Sequence, residues 1–171
     1  MKRLLLLRHA KSSRDNPRLA DFDRPLAKRG REAAPEVGQF LSKSKLVPDL
    51  VLCSTARRTQ ETADLALASF RRDITVRLMD PLYLAPPEQI LKSIRGVEAK
   101  VKTLMVIGHN PGMAQLANHL ADGGDKTALQ HLRQKFPTAA LAVFEADVDS
   151  WSKFERGTLL QFVTPKDLDN D

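Results

Sequence analysis

The chain has 171 residues, enough for one domain with a real core and too few for two comfortable ones. Its 42% apolar and 28% charged residues match an ordinary globular protein, and no apolar run is long enough for a membrane span or a signal-peptide core. A net charge of +6 invites a phosphorylated, nucleic-acid or membrane partner, but the basic residues are dispersed and aromatics are only 5% of the chain, so no base-stacking platform is legible. The expectation is therefore a cytoplasmic protein with neither nucleic acid nor membrane as its partner.

In chain order, Lys2–Leu7 is a short apolar run without helical period and predicts a buried strand. Residues 8–28 are polar and carry Pro17 and Pro25, which predicts a long loop. Apolar positions Ala33, Val37, Phe40 and Leu41 predict a helix from Gly30 to about Leu46. Leu50–Cys53 reads as a second buried strand, and Cys53, the only cysteine, as a buried and unreactive thiol that excludes any internal disulfide. Ser54 or Thr55 can cap a helix from Ala56 to about Phe70, followed by a short strand at Ile74–Leu78. Pro86-Pro87 opens a helix to about Gly96, and Val101–Ile107 is the clearest strand of all. Asn110 and Pro111 start a helix to about Ala121 that Gly123-Gly124 break. Ala139–Glu145 and Gly157–Val163 both read as strands with no long helix between them, which predicts a hairpin or an antiparallel edge.

Alternating strands and helices with short buried strands predict a three-layer α/β/α domain on a mostly parallel sheet with an antiparallel edge. One domain spans residues 1–165, and residues 166–171 are expected to be a frayed acidic tail.

In such a sheet, ligands bind beyond the carboxyl ends of the strands. Three segments stand there: Arg8-His9-Ala10-Lys11-Ser12, Ser54-Thr55-Ala56-Arg57-Arg58 and Gly108-His109-Asn110-Pro111-Gly112. Each is ordinary alone, the last resembling a plain turn and Arg57-Arg58 a solvated helix face. Together they bring two of the chain's four histidines and several arginines to one edge. That is a set of parts for an anion: guanidinium forks fit phosphate oxygens, and helix starts near Ala56 and Asn110 add free N–H groups. A neutral imidazole there can attack phosphorus, and neighbouring positive charge keeps it unprotonated. His119 and His131 read as surface or helix histidines. No metal or other cofactor is expected, since no companion ligand stands at metal-binding spacing from His9 or His109.

At these residues the chain resembles the histidine phosphatase superfamily, also called phosphoglycerate mutase-like, and within it the small phosphohistidine phosphatases of the SixA group. The resemblance is carried by Leu4–Ser12, by Arg24-Pro25-Leu26-Ala27-Lys28-Arg29-Gly30, by Ser54–Ala63 and by Val106–Gly112, in order over about residues 1 to 120. It implies a fold without a cap domain, phosphorylation of His9, a grip on the phosphoryl group by Arg8 and Arg58, and His109 as second pocket histidine. Arg58 rather than Arg57 matches the family arginine four residues before Thr62, and Arg57 lies about 100° around the helix from it. Ser12 matches a position that binds phosphate in some members. Ala10, Thr55 and Glu61 depart from a frequent glycine, proline and glutamine.

Many relatives carry a general acid soon after the third strand, and Asp80 lies nearest that place; the alternative is that it only caps a turn. A phosphoramidate leaving group needs less help from an acid than an alkoxide does. The expected substrate is thus a phosphorylated one, first a phosphohistidine-bearing protein, with a phosphorylated small metabolite or a non-catalytic phosphoprotein-binding role as alternatives. Lys11, Arg14 and Arg18 in the long loop are either attractors for that partner or ordinary solvated charge. The sequence carries no signal of oligomeric state.

Overall fold

The computed structural model describes residues 1–169. Seven strands form one sheet: β1 (Lys2–Arg8), β2 (Leu50–Ser54), β3 (Thr75–Met79), β4 (Thr103–Gly108), β5 (Ala121–Gly124), β6 (Leu141–Ala146) and β7 (Gly157–Val163), in the order β3-β2-β4-β1-β6-β7-β5. Six helices connect or flank them: α1 (Lys28–Lys43), α2 (Arg57–Leu67), α3 (Pro87–Arg95), α4 (Gly112–Leu120), α5 (Lys126–Gln134) and α6 (Pro165–Asp169).

The core sits on both faces of the sheet, and β1 shows why. Its four consecutive leucines are fully buried, and because side chains alternate, Leu4 and Leu6 enter one core while Leu5 and Leu7 enter the other. Each such burial is worth roughly 1.5–3 kcal/mol. Ala34, Val37 and Leu41 of α1 and Ala63 of α2 close one face; Ile90 and Ile94 of α3, Leu116 and Leu120 of α4 and Leu132 of α5 close the other. The α/β/α architecture is therefore the one expected.

The hairpin expected of Ala139–Glu145 and Gly157–Val163 forms as β6 and β7, with the reversed strand β6 inside the sheet between β1 and β7, so that the sheet's edges are β3 and β5. Two details differ from expectation. The segment after α4 forms β5, parallel to β7, where only a helix-breaking Gly pair was expected. The glycines allow this edge: Gly123 and Gly124 adopt φ of 76° and 131°, and a Cβ on Gly124 would stand 2.1 Å from the Leu159 carbonyl oxygen. The acidic C-terminal segment is not frayed through residue 169. Asp167 accepts hydrogen bonds from the Thr164 N–H (2.9 Å) and hydroxyl (3.0 Å), starting α6, and Leu168 packs on the core under α1. Residues 170–171 of the expected tail lie outside the described residues.

The register places the functional edge. Leu7 and Cys53 both pair with Ile107, and Arg8 pairs with Gly108, so β1, β2 and β4 end at one level. His9, Ser54 and His109 leave the sheet side by side. No helix among the described residues is long and apolar enough to cross a membrane.

Candidate active site

His9 and His109 stand together at this edge, their ring centroids 5.3 Å apart. The His9 N–H donates to the Gly108 carbonyl (3.1 Å), and the Ala139 N–H donates to the carbonyls of Arg8 and His9 (3.1 and 3.0 Å), which pins the backbone as β1 ends. Thr62 ties the next residue to α2: its Oγ1 accepts from the Ala10 N–H (3.0 Å) and donates to the Arg58 carbonyl (2.7 Å).

The His9 Nδ1–H donates to the Ala10 carbonyl (2.7 Å), which leaves a lone pair on Nε2. Burial is the main cause that lowers the ring's pKa to about 4; the Ala10 bond opposes it, and the charges of Arg58, Arg8 and Arg24 add to it. The imidazole is thus neutral near pH 7, with its free nitrogen available for attack. His109 is also held neutral, at about 3, by burial first and then by His9 and Arg58, with Asp21 opposing. Its tautomer follows from its partners. Nδ1 lies 3.3 Å from an Arg58 nitrogen, which can only donate, so Nε2 carries the proton and gives it to the Ser54 hydroxyl oxygen at 2.7 Å.

Arg58 is buried at the start of α2, with 3% of its side chain exposed. Its Nη1 donates to the Asp21 carbonyl (2.7 Å) and its Nη2 to the Asp21 carboxylate (3.0 Å). Arg8 donates from Nη1 to the Phe136 carbonyl (3.1 Å), which Asn110 also caps from Nδ2 (2.7 Å). Burial and the Arg58 charge lower the Arg8 pKa, a mark of two guanidinium groups crowded together. The Nε–H groups of both Arg8 and Arg58 are buried without an acceptor, although such donors are costly to leave unpaired. Two unpaired cationic donors beside a neutral imidazole form a site for an anion with several oxygens, such as a phosphoryl group. Among the described residues no group of three or more His, Cys, Asp or Glu side chains gathers as a metal site would require.

The remaining sequence-predicted residues lie further out. Arg57 turns away to an exposed pair with Glu61 (2.9 Å). Asp80 opens a one-turn 3₁₀ segment, Asp80–Leu82, and its Oδ1 accepts from the Thr55 hydroxyl (2.7 Å), so it stands at the rim and outside the hydrogen-bonded cluster. Ser12 makes an isolated bridge with Leu26, and no hydrogen bond joins its hydroxyl to the cluster among the described residues. Lys11, Arg14 and Arg18 are exposed along the loop, and His119 and His131 are exposed on α4 and α5. Cys53 is buried, its thiol pushed up to about 12 chiefly by that burial.

Sequence reasoning missed Asp21, Tyr83, Ser54 and Thr62 as parts of the site. Tyr83 donates its hydroxyl to Asp21, sets its ring edge-on to His109 (5.4 Å) and lies 5.9 Å from the Arg58 guanidinium carbon. Ser54 and Thr62 stood inside a motif already singled out. Asp21 stood three residues before Arg24, and nothing local marks it; the loop reaches Arg58 only in three dimensions.

Fold and site together define a phosphate-handling α/β enzyme core. The family model of the histidine phosphatase superfamily (branch 1) matches residues 4–82, and the chain belongs to that superfamily. It is similar over 96% of its length to a candidate phosphohistidine phosphatase SixA from Agrobacterium tumefaciens, at 31% identity and TM-score 0.82, covering 98% of that chain. A SixA protein of the same description from Nakamurella multipartitia is 30% identical, with TM-score 0.81 and 96% of each chain covered. A Mycobacterium tuberculosis protein described as uncharacterized is 37% identical over 164 residues, which is 94% of this chain and all of that one. The membership indicates a phosphatase with a phosphorylated substrate.

Proposed function

We propose that the chain hydrolyses phosphohistidine in a protein through a phosphoenzyme formed on His9. The observation that carries the reading is the neutral, buried His9 with Nε2 free, set beside two guanidinium groups whose buried Nε–H donors have no partner. The likeness to SixA proteins at 30% identity or more supports the substrate.

In the first step Nε2 attacks phosphorus as the bond to the departing nitrogen breaks, so that the phosphoryl group passes to His9 and the donor ring, already protonated on its other nitrogen, keeps the electron pair and leaves as neutral imidazole. Arg8 and Arg58 bind the equatorial oxygens, where charge is spread during transfer. The Ala10 carbonyl holds the Nδ1 proton and stabilises the positive charge that attack places on the ring. In the second step water attacks the phosphorus of phospho-His9, the Nε2–P bond breaks, and inorganic phosphate leaves. His109 keeps its Nδ1 as an acceptor for the Arg58 Nη2–H, which helps hold that guanidinium at the pocket. An imidazole leaves without a strong acid, and Asp80 at the rim would serve only substrates with poorer leaving groups. No step calls for a metal ion.

The test is trapping. The protein is incubated with N-phosphoimidazole, quenched in alkali and mapped by mass spectrometry. Phosphate on His9, absent in His9→Ala, is the expected result. Phosphohistidine hydrolysis retained by His9→Ala sinks the nucleophile, and phosphate binding without any phosphoenzyme moves the chain to a binding role.

A further inference from the structure

Among the described residues, Asp21 is the one carboxylate hydrogen-bonded to the cluster of Arg8, His9, Arg58 and His109. Its Oδ2 takes the Arg58 Nη2 at 3.0 Å and the Tyr83 hydroxyl; its Oδ1 takes Nε and Nη2 of Arg24 at 3.2 and 3.0 Å. The same Arg58 nitrogen lies 3.3 Å from His109 Nδ1, so the carboxylate and the pocket imidazole share one donor. The exposures separate inside from outside: 3% for the Arg58 side chain and 47% for Asp21, which therefore stands between the buried cluster and solvent.

Burial alone would raise the pKa of Asp21, but the bonds from Tyr83 and Arg58, the Arg58 charge and Arg24 outweigh it and hold the group at about 2. Asp21 is therefore an anion at neutral pH and holds no proton to give. Its charge ends the positive field at the phosphoryl group. Without it, Arg24 and Arg58 would extend an anion site outward along the path of the leaving group. That path is set by in-line transfer, which places the departing atom opposite His9 Nε2, on the solvent side.

From this arrangement we propose that Asp21 selects substrates by the charge of the leaving group, disfavouring phosphorylated acids and favouring neutral or cationic leaving groups such as imidazole. The inference rests on the phosphatase reading above and adds a residue that determines specificity. A unit charge about 7 Å from a carboxylate, at an intermediate effective dielectric, changes a rate by roughly tenfold.

The experiment compares kcat/KM for two aryl phosphates, 3-(trimethylammonio)phenyl phosphate and 3-carboxyphenyl phosphate, in the wild type, Asp21→Asn and Tyr83→Phe. The ratio between substrates cancels any general loss of Arg58 alignment. Wild type prefers the cationic donor beyond the ratio of the two spontaneous hydrolysis rates, Asp21→Asn loses about tenfold or more of that preference, and Tyr83→Phe, which keeps the carboxylate, retains it. The wild-type preference also shrinks in about 1 M salt, a readout that survives if the Asp21 variant does not fold. An unchanged ratio in Asp21→Asn, or a wild-type preference indifferent to salt, overturns the proposal while leaving the phosphatase standing. Turnover of neither donor, nor of N-phosphoimidazole, overturns both.

Discussion

Thr62 is the joint between the His9 loop and the arginine helix, and replacing it with valine isolates that joint. Valine keeps the shape and removes only the hydroxyl. The Ala10 N–H, now 3.0 Å from Thr62 Oγ1, would then be buried without an acceptor, whereas the Arg58 carbonyl keeps the option of its helical partner. Leaving one buried donor unpaired costs about 1–3 kcal/mol. For a chain of 171 residues that corresponds to a fall in Tm of roughly 3–10 °C. The same bond sets the backbone at Ala10, whose carbonyl orients His9, so kcat should fall by about tenfold or more while Thr62→Ser stays close to wild type. The assay pairs thermal unfolding of the three proteins with the rate of His9 phosphorylation by N-phosphoimidazole. A valine variant as stable and as fast as wild type would refute the reasoning, because it would mean that Ala10 finds another partner or needs none.

Three further outcomes follow from the same structure. Because the folded pKa values of His9 and His109 lie at about 4 and about 3, below the unfolded value of about 6.5, the unfolded chain binds more protons between those limits. The stability these two groups contribute is full above about pH 6.5 and is lost as pH falls toward 4 and 3; a denaturant series from pH 7 to 4 should show the decline, and His9→Ala should flatten part of it. Gly124→Ala should cost more than Gly123→Ala in thermal unfolding, since both positions have positive φ but only at Gly124 does the new Cβ meet backbone, 2.1 Å from the Leu159 oxygen; the Gly123 change should cost about 1–2 kcal/mol. Activity should persist after exhaustive EDTA treatment, measured as phosphate release, and its abolition with restoration by an added divalent ion would contradict the metal-free chemistry proposed here.

The linear chain already determined the parts of this protein that depend on local pattern. Four consecutive leucines before Arg8-His9, and the apolar runs at Leu50–Cys53 and Val101–Ile107, can bury both faces only in a sheet covered on both sides, and a parallel sheet then sends the residues after each strand to one edge. Arg8, His9, Arg58 and His109 were legible for that reason. The tertiary structure decided what depends on distant contacts. The Gly123-Gly124 stretch becomes a strand because β7 offers it an edge, and the acidic end becomes helical at Pro165–Asp169 because Leu168 finds the core beneath α1. Asp21, in a polar loop with no periodicity, meets Arg58 and Tyr83 across separations of 37 and 62 residues. Hydrogen bonds of that reach leave no trace in local pattern, because each partner taken alone is an ordinary polar residue whose role is set by the chain's closing around it.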